Sequence, residues 1–344
     1  MTKTLTDPIL ITGCGWITPL GAGTFREVLS AMCAGDPPTA GDEGYWPVPE
    51  CLLDPHAHLS KELKHDKGAW MTAIALEAAL RDAGIVAEEL EVGELGMVLG
   101  CALAGQIGMI TFAGEVRDQT PRFVSPIHFP QTVGNFITGA LARAYNIQGP
   151  NVTIASGVGS GLDAILEGCA LLDRGEAGVI LAGGIDALTP ELALGLSEPS
   201  GVLSEGACLL TLERASHAAD RGGTGLATVV QRARGAERPG LSAGGEDAIW
   251  ARVNKPNRAR KEAIIQIERS VGRCFSVLGP AALAAAIGVA LGADVAPAIL
   301  CGDQAPPELP ASPDPPPEDG ACVVTITHTG AGAQSGASLS VRLV

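Results

Sequence analysis

Residues 151–187 read NVTIASGVGSGLDAILEGCALLDRGEAGVILAGGIDA, which contains a strand, a tight turn, a helix and a second strand. The apolar run Asn151–Ala155 is typical of a strand and leads directly into the glycine-rich turn SGVGSG. Apolar residues then recur at positions i, i+3 and i+4 across Leu162–Asp173, which predicts a helix. Gly178–Gly184 is an apolar run bounded by glycines, as expected for a buried strand. The stretch therefore predicts a layered α/β protein.

The same alternation continues on both sides of this stretch. Further strands are predicted at Pro8–Thr18, Leu95–Cys101, Gly206–Leu212 with Gly225–Gln231 as a pair, Ala298–Cys301, and Ala321–Thr327 with Ala337–Leu343 as a closing pair. Further helices are predicted at Asp66–Gly84, Val133–Tyr145, Ala259–Val271 and Ala281–Leu291. The proline-rich residues Pro306–Gly320 predict an exposed, irregular loop. The chain thus alternates strands and helices throughout, which favours a mixed α/β architecture.

Composition narrows the function classes. The 344 residues are 46% hydrophobic with a formal net charge of −15, so a folded core is expected and nucleic-acid binding is not. Nine cysteines occur without a CxxC pair, so neither a metal site nor a cofactor is predicted. The N-terminal residues run into a strand without a cleavable signal, which predicts reduced thiols and a cytoplasmic location. The longest apolar stretch, Val277–Ala293, is too short and too rich in glycine for a membrane span.

Seven segments in a fixed order resemble one known family. They are ILITGCGWITPLG, DKGAWMTAIALEAALRDAGI, SPIHFPQTVGNFITGALARAYNIQGPN, GVILAGGIDA, EGACLLTLERASHAADRG, CFSVLGPAALAAAIGVAL and HTGAGAQSGASL. Together they resemble the β-ketoacyl-acyl carrier protein synthases. The resemblance implies a thiolase-like α/β/α/β/α fold with two similar halves, which we place at residues 1–224 and 225–344, packed as one unit.

The family's chemistry requires a cysteine nucleophile on an elbow turn and two histidines. The resemblance puts Val158 at the cysteine position, Ala251 at the first histidine and Ser276 at the second. None of the six histidines lies between Ala218 and Thr327, where both catalytic histidines belong. Valine cannot form a thioester, because it carries no nucleophilic atom. The resemblance therefore implies a subunit whose own catalytic residues are lost.

Loss of all three groups is typical of the chain-length factors of type II polyketide synthases. The resemblance implies a heterodimer with a catalytic ketosynthase, contact with an acyl carrier protein, and a wall of the tunnel that receives the polyketide chain. Val158 differs from the glutamine common at the elbow of aromatic-pathway factors, and the chain is short. Both features favour the factors of reducing, polyene-making systems, similar to those for aryl polyenes.

The resemblance also indicates which residues line the tunnel or the dimer interface. They are Met109, Phe112, Phe129, Thr132, Val133 and Phe136. Bulky side chains in such a tunnel limit product length because overfilling a packed cavity is costly. Enlarging Gly108 or shrinking Phe112 is therefore expected to change product length.

Other interpretations stay open on the sequence alone. One is an acyltransferase or condensing enzyme that uses altered residues, and another is a scaffold that binds acyl carrier protein. A serine hydrolase is disfavoured, since Ser160 is the fourth rather than the third residue of GVGSG. The basic run that contains Lys255, Arg258, Arg260 and Lys261 is either a solvated helix face or a contact for an acidic partner.

Overall fold

The computed structural model describes residues 7–27, 30, 45–53, 63, 66–119, 121–126, 128–196, 202–234, 248–254, 262–265, 274–290, 323–329 and 336–343. The strands are β1 (Ile9–Thr18), β2 (Gly21–Thr24), β3 (Tyr45–Trp46), β4 (Leu95–Gly100), β5 (Asn151–Ile154), β6 (Val179–Asp186), β7 (Leu203–Ser204), β8 (Gly206–Arg214), β9 (Ala227–Arg234), β10 (Ala248–Asn254), β11 (Glu262–Ile265), β12 (Val323–Thr329) and β13 (Gly336–Leu343). The helices are α1 (Glu50–Leu53), α2 (Lys67–Ala83), α3 (Gln106–Gln119), α4 (Phe136–Ala144), α5 (Ser160–Asp173), α6 (Pro190–Leu196), α7 (Ala215–Asp220) and α8 (Leu278–Ala290).

One strand order occurs twice in the sheet. The strands follow the order β11-β10-β12-β13-β9-β1-β8-β6-β4-β5, with β2 attached to β1. The two halves of this path meet where Leu10 and Ile11 of β1 pair with Thr228 and Ala227 of β9. Each half has five strands in which the second strand along the chain lies between the third and the fourth. The layered α/β class is confirmed, and the boundary placed at residues 224/225 stays a prediction.

Strand direction distinguishes the two halves. In the first half, β4 runs parallel to both β5 and β6. In the second half, β10 runs antiparallel to both β11 and β12. Only residues 255–261 join β10 to β11. A parallel connection needs a crossover of a dozen or more residues, so this short segment permits only the antiparallel pairing.

Three predictions for secondary structure need correction. The helix predicted at Ala259–Val271 is wrong where the structure describes it, because Glu262–Ile265 forms strand β11 on the edge of the sheet. The strands at Gly206–Leu212 and Gly225–Gln231 exist but do not pair with each other, because β1 lies between them. The helix predicted from Val133 begins only at Phe136, after a 3-10 turn. The predictions at 298–301 and 306–320 lie outside the described residues.

Helix α2, capped by Asp66 and ended by Gly84 at φ +67°, covers one face of β1 and β8. Two other helices, α5 and α8, lie between the halves of the sheet and position the candidate site. Helix α5 packs on β4 and β6 and also contacts β13, while α8 contacts β10 and β12 as well as β6. Both helices therefore belong to a central layer, and their N-termini meet there. No helix in the described part of the chain is long and apolar enough to span a bilayer.

Candidate functional site

The turn before α5 has the shape of a nucleophile elbow but no nucleophile at its centre. A 3-10 turn spans Gly157–Gly159, and Gly157 adopts φ +82°, a conformation that favours glycine. Val158, at the middle of this turn, is half-buried and packs against the core beneath α5. The turn brings an alkyl side chain to the N-terminus of a helix, where the partial positive charge would stabilise a thiolate.

The serine that follows the turn is used to hold it together. Ser160 is buried, and its hydroxyl donates to the carbonyl of Gly157 at 2.5 Å. The same oxygen accepts the backbone N–H of Ser156 at 2.8 Å. Ser160 is therefore a structural residue of the turn, in agreement with the register that disfavours a serine hydrolase.

Ser276 lies in a second turn that packs directly on the first. It stands in the 3-10 turn Phe275–Val277 at the start of α8, and this turn contacts Gly157–Gly159. A Cβ atom on Gly161 would lie only 2.0 Å from the Ser276 carbonyl oxygen, so the close approach requires glycine there. The structure thus brings the positions of Val158 and Ser276 together.

Asp186 holds the Ser276 turn in place. Its carboxylate accepts the Ser276 hydroxyl at 2.5 Å and the Ser276 N–H at 2.9 Å. On the side of β4 it accepts the N–H of Leu103 at 2.8 Å and the thiol of Cys101 at 3.4 Å. Burial raises the pKa of Asp186 to about 6, although the hydrogen bonds from Ser276 and Leu103 oppose the rise. Ser276 is itself buried, so this pair forms a structural hub with no access for substrate.

Ala251 occupies a different kind of position. It lies in the middle of β10, where its backbone pairs with Ile265 of β11 and Ile326 of β12. Helix α8 packs against β10, so the strand borders the central layer. Ala251 is thus part of a strand, whereas the other two predicted positions lie in turns.

His217 is engaged in a network away from the two turns. His217 binds Glu213 through Nδ1 at 2.7 Å and Glu94 through Nε2 at 2.8 Å. Glu213 of β8 pairs with Val179, the first residue of β6, whereas Asp186 is the last residue of β6. The His217 network therefore lies at the opposite end of this strand from Asp186. In the described part of the chain, no three His, Cys, Asp or Glu side chains are grouped to hold a metal ion.

The residues predicted for the tunnel or interface gather around α3 and the turn after it. The rings of Phe112 and Phe129 meet edge to face with centroids 5.6 Å apart. The Thr132 hydroxyl caps this turn by donating to the Phe129 carbonyl at 2.8 Å. Met109 and Val133 are exposed on the same surface. The structure therefore brings these residues into one surface region.

A small cavity lies beneath this region. Val133 and Phe136 line it together with Asp66 and Cys101, and its volume is about 30 Å³. That volume holds only one or two water-sized groups, far less than an acyl chain.

Gly108 is not a position where a larger side chain would simply fill a tunnel. A Cβ atom there would lie 2.2 Å from the carbonyl oxygen of Gln131. Gly108 thus allows α3 to touch the backbone of the Phe129–Thr132 turn. Replacing Gly108 by a larger residue would displace the turn. A change in product length would then not by itself show that Gly108 lines the tunnel.

Comparison with known proteins identifies the family. The model of the β-ketoacyl synthase N-terminal domain matches residues 53–230, just over half of the chain. The chain belongs to the β-ketoacyl synthase family. Members of this family are transferases.

Sequence relatives and solved structures agree with this assignment. The chain is 24% identical over 258 residues to 3-oxoacyl-[acyl-carrier-protein] synthase 2 of Coxiella burnetii, covering 64% of this chain and 61% of that protein. The corresponding synthase of Vibrio cholerae is 26% identical over 255 residues, with 64% and 61% coverage. The chain thus spans about three fifths of the length of these curated relatives.

The solved structures establish the thiolase fold. The ishigamide ketosynthase/chain length factor superposes with a TM-score of 0.71 at 17% identity, covering 98% of this chain and 99% of that one. A type II polyketide synthase acyl-carrier protein in complex with its ketosynthase bound to the hexaketide gives 0.69 at 15% identity, with 98% and 99% coverage. A β-ketoacyl synthase from Burkholderia phymatum STM815 gives 0.67 at 18%, with 98% and 100% coverage.

Sequence reasoning missed the buried carboxylates that organise this β-ketoacyl synthase-family chain. Asp186 ends the apolar run VILAGGID, and a carboxylate at the carboxyl end of a buried strand is a usable signal for such a hub. Glu205 is buried too, and it accepts the Val48 N–H at 2.7 Å and pairs with the ammonium group of Lys67. Pattern reasoning overlooked both because it searched for Cys and His at the family's catalytic positions.

Proposed function

We propose that this chain is a non-catalytic, chain-length-factor-like subunit of a cytoplasmic type II polyketide synthase. It pairs with a catalytic ketosynthase, which supplies the cysteine and the two histidines. Its contribution is to wall the tunnel that receives the acyl chain. The valine at the elbow favours a reducing, polyene-making system. The observation that carries the proposal is Val158 at the centre of an otherwise intact elbow.

Condensation chemistry needs groups that this site does not offer. The acyl chain must be held as a thioester on a nucleophile, and Val158 presents only methyl groups. The Ser160 hydroxyl is committed to the turn on both its donor and acceptor sides. The Ser276 hydroxyl is buried against Asp186, where it cannot replace an imidazole that exchanges protons with substrate. These contacts support a structural role for the site.

The surface of α3 supports pairing with another subunit. Of the residues of this helix, only Gly108 is buried, although the helix carries Met109, Ile110 and Phe112. An apolar helix face of this kind is typical of a protein–protein interface. Because the cavity beneath it is far smaller than an acyl chain, the growing chain would lie between this face and the partner.

The test is an acylation assay read by intact-protein mass spectrometry. The purified chain is incubated with an acyl-acyl carrier protein, alone and with the ketosynthase encoded beside it, and we expect an acyl adduct on the ketosynthase only. V158C serves as a variant control that restores a thiol at the elbow. A stable acyl adduct on the wild-type chain would show that the subunit has its own transferase activity.

An enzyme with altered residues is the second candidate, because one exposed hydroxyl at the elbow has a carboxylate partner. The Ser156 hydroxyl donates to Asp163 at 2.6 Å, and Ser156 is exposed to solvent. An adduct that forms on the wild type and disappears in S156A would support this candidate. We favour the non-catalytic role, since His217 and His128 are each bound to glutamates rather than to this pair.

A further inference from the structure

A groove open to solvent lies at the opposite end of β4 from the elbow. It is lined by the C-terminal part of α2, by the segment 84–93 and by residues 144–148 at the end of α4, and its volume is about 1230 Å³. Leu95, the first residue of β4, lines this groove. Gly100, the last residue of β4, lies beside the elbow instead, where an added Cβ atom would lie 2.2 Å from the Ser160 carbonyl oxygen. The cavity, which we call the α2–α4 groove, is therefore separate from the site described above.

Apolar side chains line the α2–α4 groove, and two of them are open to solvent. Leu80, Ile85 and Leu90 belong to the lining, together with Val92, which is 82% exposed, and Val86, which is 51% exposed. Exposed apolar residues that are grouped in a concavity mark a binding surface. Small-molecule pockets measure roughly 300–1,000 Å³, so this groove offers more room than one small ligand needs. Its size and lining favour a segment of another protein as the occupant.

The charges around these apolar residues are mainly negative. Glu88 and Glu91 line the groove and are exposed, and in the described part of the chain neither forms an ion pair with a Lys, Arg or His side chain. Glu77 adds a third carboxylate to the lining. Arg81 lines the groove as well, but its guanidinium pairs with Glu27 at 3.3 Å. The groove is therefore complementary to an occupant that combines apolar side chains with positive charge.

We propose that the α2–α4 groove docks a basic amphipathic segment of a partner protein. The apolar side chains of this segment contact Val86 and Val92, and its arginine or lysine side chains pair with Glu88 and Glu91. Amphipathic segments bind proteins by laying their apolar face into such grooves, while long basic side chains extend along the apolar surface to the charged rim. The rim carboxylates repel acidic segments, so they select the partner as well as attract it. The proposal is independent of the proposed function.

The experiment measures the Kd of the full-length chain for a short synthetic peptide in which leucine and arginine alternate, by fluorescence anisotropy. E88Q/E91Q removes both rim charges, and we expect the Kd to rise about fivefold, because exposed ion pairs contribute little individually. E50Q/E89Q is the matched control, since it removes two exposed charges that do not line the groove, and it should bind like the wild type. All four glutamates are exposed, so both double variants should keep the urea midpoint of the wild type. A peptide with glutamate in place of arginine should not bind.

Hydrogen–deuterium exchange then locates the bound peptide. We expect slower exchange of the backbone amides at residues 84–93 and 144–148 and no change at residues 156–161. The proposal is overturned if the wild type does not bind the arginine peptide, if the protected amides lie elsewhere, or if the two double variants lose affinity equally, which would show that net charge alone attracts the peptide. Spermine that displaces the peptide at equal concentration would assign the groove to small polyamines and overturn the choice of a protein segment. A wild-type dimer that E88Q/E91Q dissociates would assign it to a second copy of this chain.

Discussion

Replacing Ser276 by alanine should destabilise the protein by an amount that depends on pH. The Ser276 hydroxyl donates to the buried carboxylate of Asp186 at 2.5 Å. Hydrogen bonds to charged groups contribute about 1.5–3 kcal/mol, against about 1 kcal/mol for neutral pairs. We therefore expect S276A to lower the free energy of unfolding by about 2 kcal/mol where Asp186 is ionised and by about 1 kcal/mol where it is protonated.

The pH window follows from the pKa of Asp186, which burial raises from 3.8 to about 6. A raised carboxyl pKa means that the folded state binds the proton more tightly, so this group's contribution to stability falls as pH rises from about 4 to about 6. The stability that the protonated Asp186 carboxyl contributes is therefore present below about pH 4 and lost above about pH 6. Loss of the Ser276 donor raises that pKa further, so the difference between S276A and the wild type widens as pH increases.

The assay is urea unfolding of both proteins at pH 5.5 and pH 8.5. The lower value stays above the isoelectric point of about 4.8. S204A is the matched control, since Ser204 is equally buried but contacts two neutral groups. They are the backbone carbonyl oxygen of Glu205 at 3.4 Å and the Cys274 Sγ at 3.5 Å. Its effect should be the same at both pH values. An S276A effect of equal size at the two pH values would refute the role assigned to the Asp186 carboxylate.

Three other substitutions test the Glu213 network and the Gly108 contact. R221M removes the cation that pairs with buried Glu213 and should cost about 3 kcal/mol in urea unfolding, whereas R174M on an exposed pair should leave the midpoint unchanged. Burial lowers the pKa of His217, but its partners Glu94 and Glu213 outweigh burial and raise this pKa. The positive charge therefore stabilises the fold below pH 6.5, and this contribution is lost at higher pH. H217Q should lower the free energy of unfolding more at pH 5.5 than at pH 8.5. G108A should lower stability through its clash with the turn and weaken pairing with the ketosynthase, and unchanged binding would show that the turn tolerates the shift.

Pattern reasoning was sufficient for the parts of the fold in which local and tertiary preferences agree. The helix at Asp66–Gly84 has a capping aspartate and a terminal glycine, and both occupy those roles in the structure. The buried strands β4 and β6 carry continuous apolar runs because helices cover both of their faces. Such elements can be read from the chain because each residue's preference matches the environment it meets.

Pattern reasoning failed where a long-range contact decides the conformation. Residues 259–271 carry their charges on one side of a helical period, yet Glu262–Ile265 forms a strand because the edge of β10 offers hydrogen-bond partners. The pairing of β8 with β9 was wrong because β1, some 200 residues earlier in the chain than β8, inserts between them. Propensity and periodicity carry no information on which strand is the neighbour.

The sequence by itself determined that Val158 carries no nucleophilic atom and that residues 218–327 contain no histidine. Only the tertiary structure decided what those positions do instead. It buried the Ser276 hydroxyl against Asp186, 90 residues away, and committed the Ser160 hydroxyl to the carbonyl of Gly157. Residue identity sets the chemistry that is available, whereas burial and hydrogen-bond pairing depend on segments that only folding brings together.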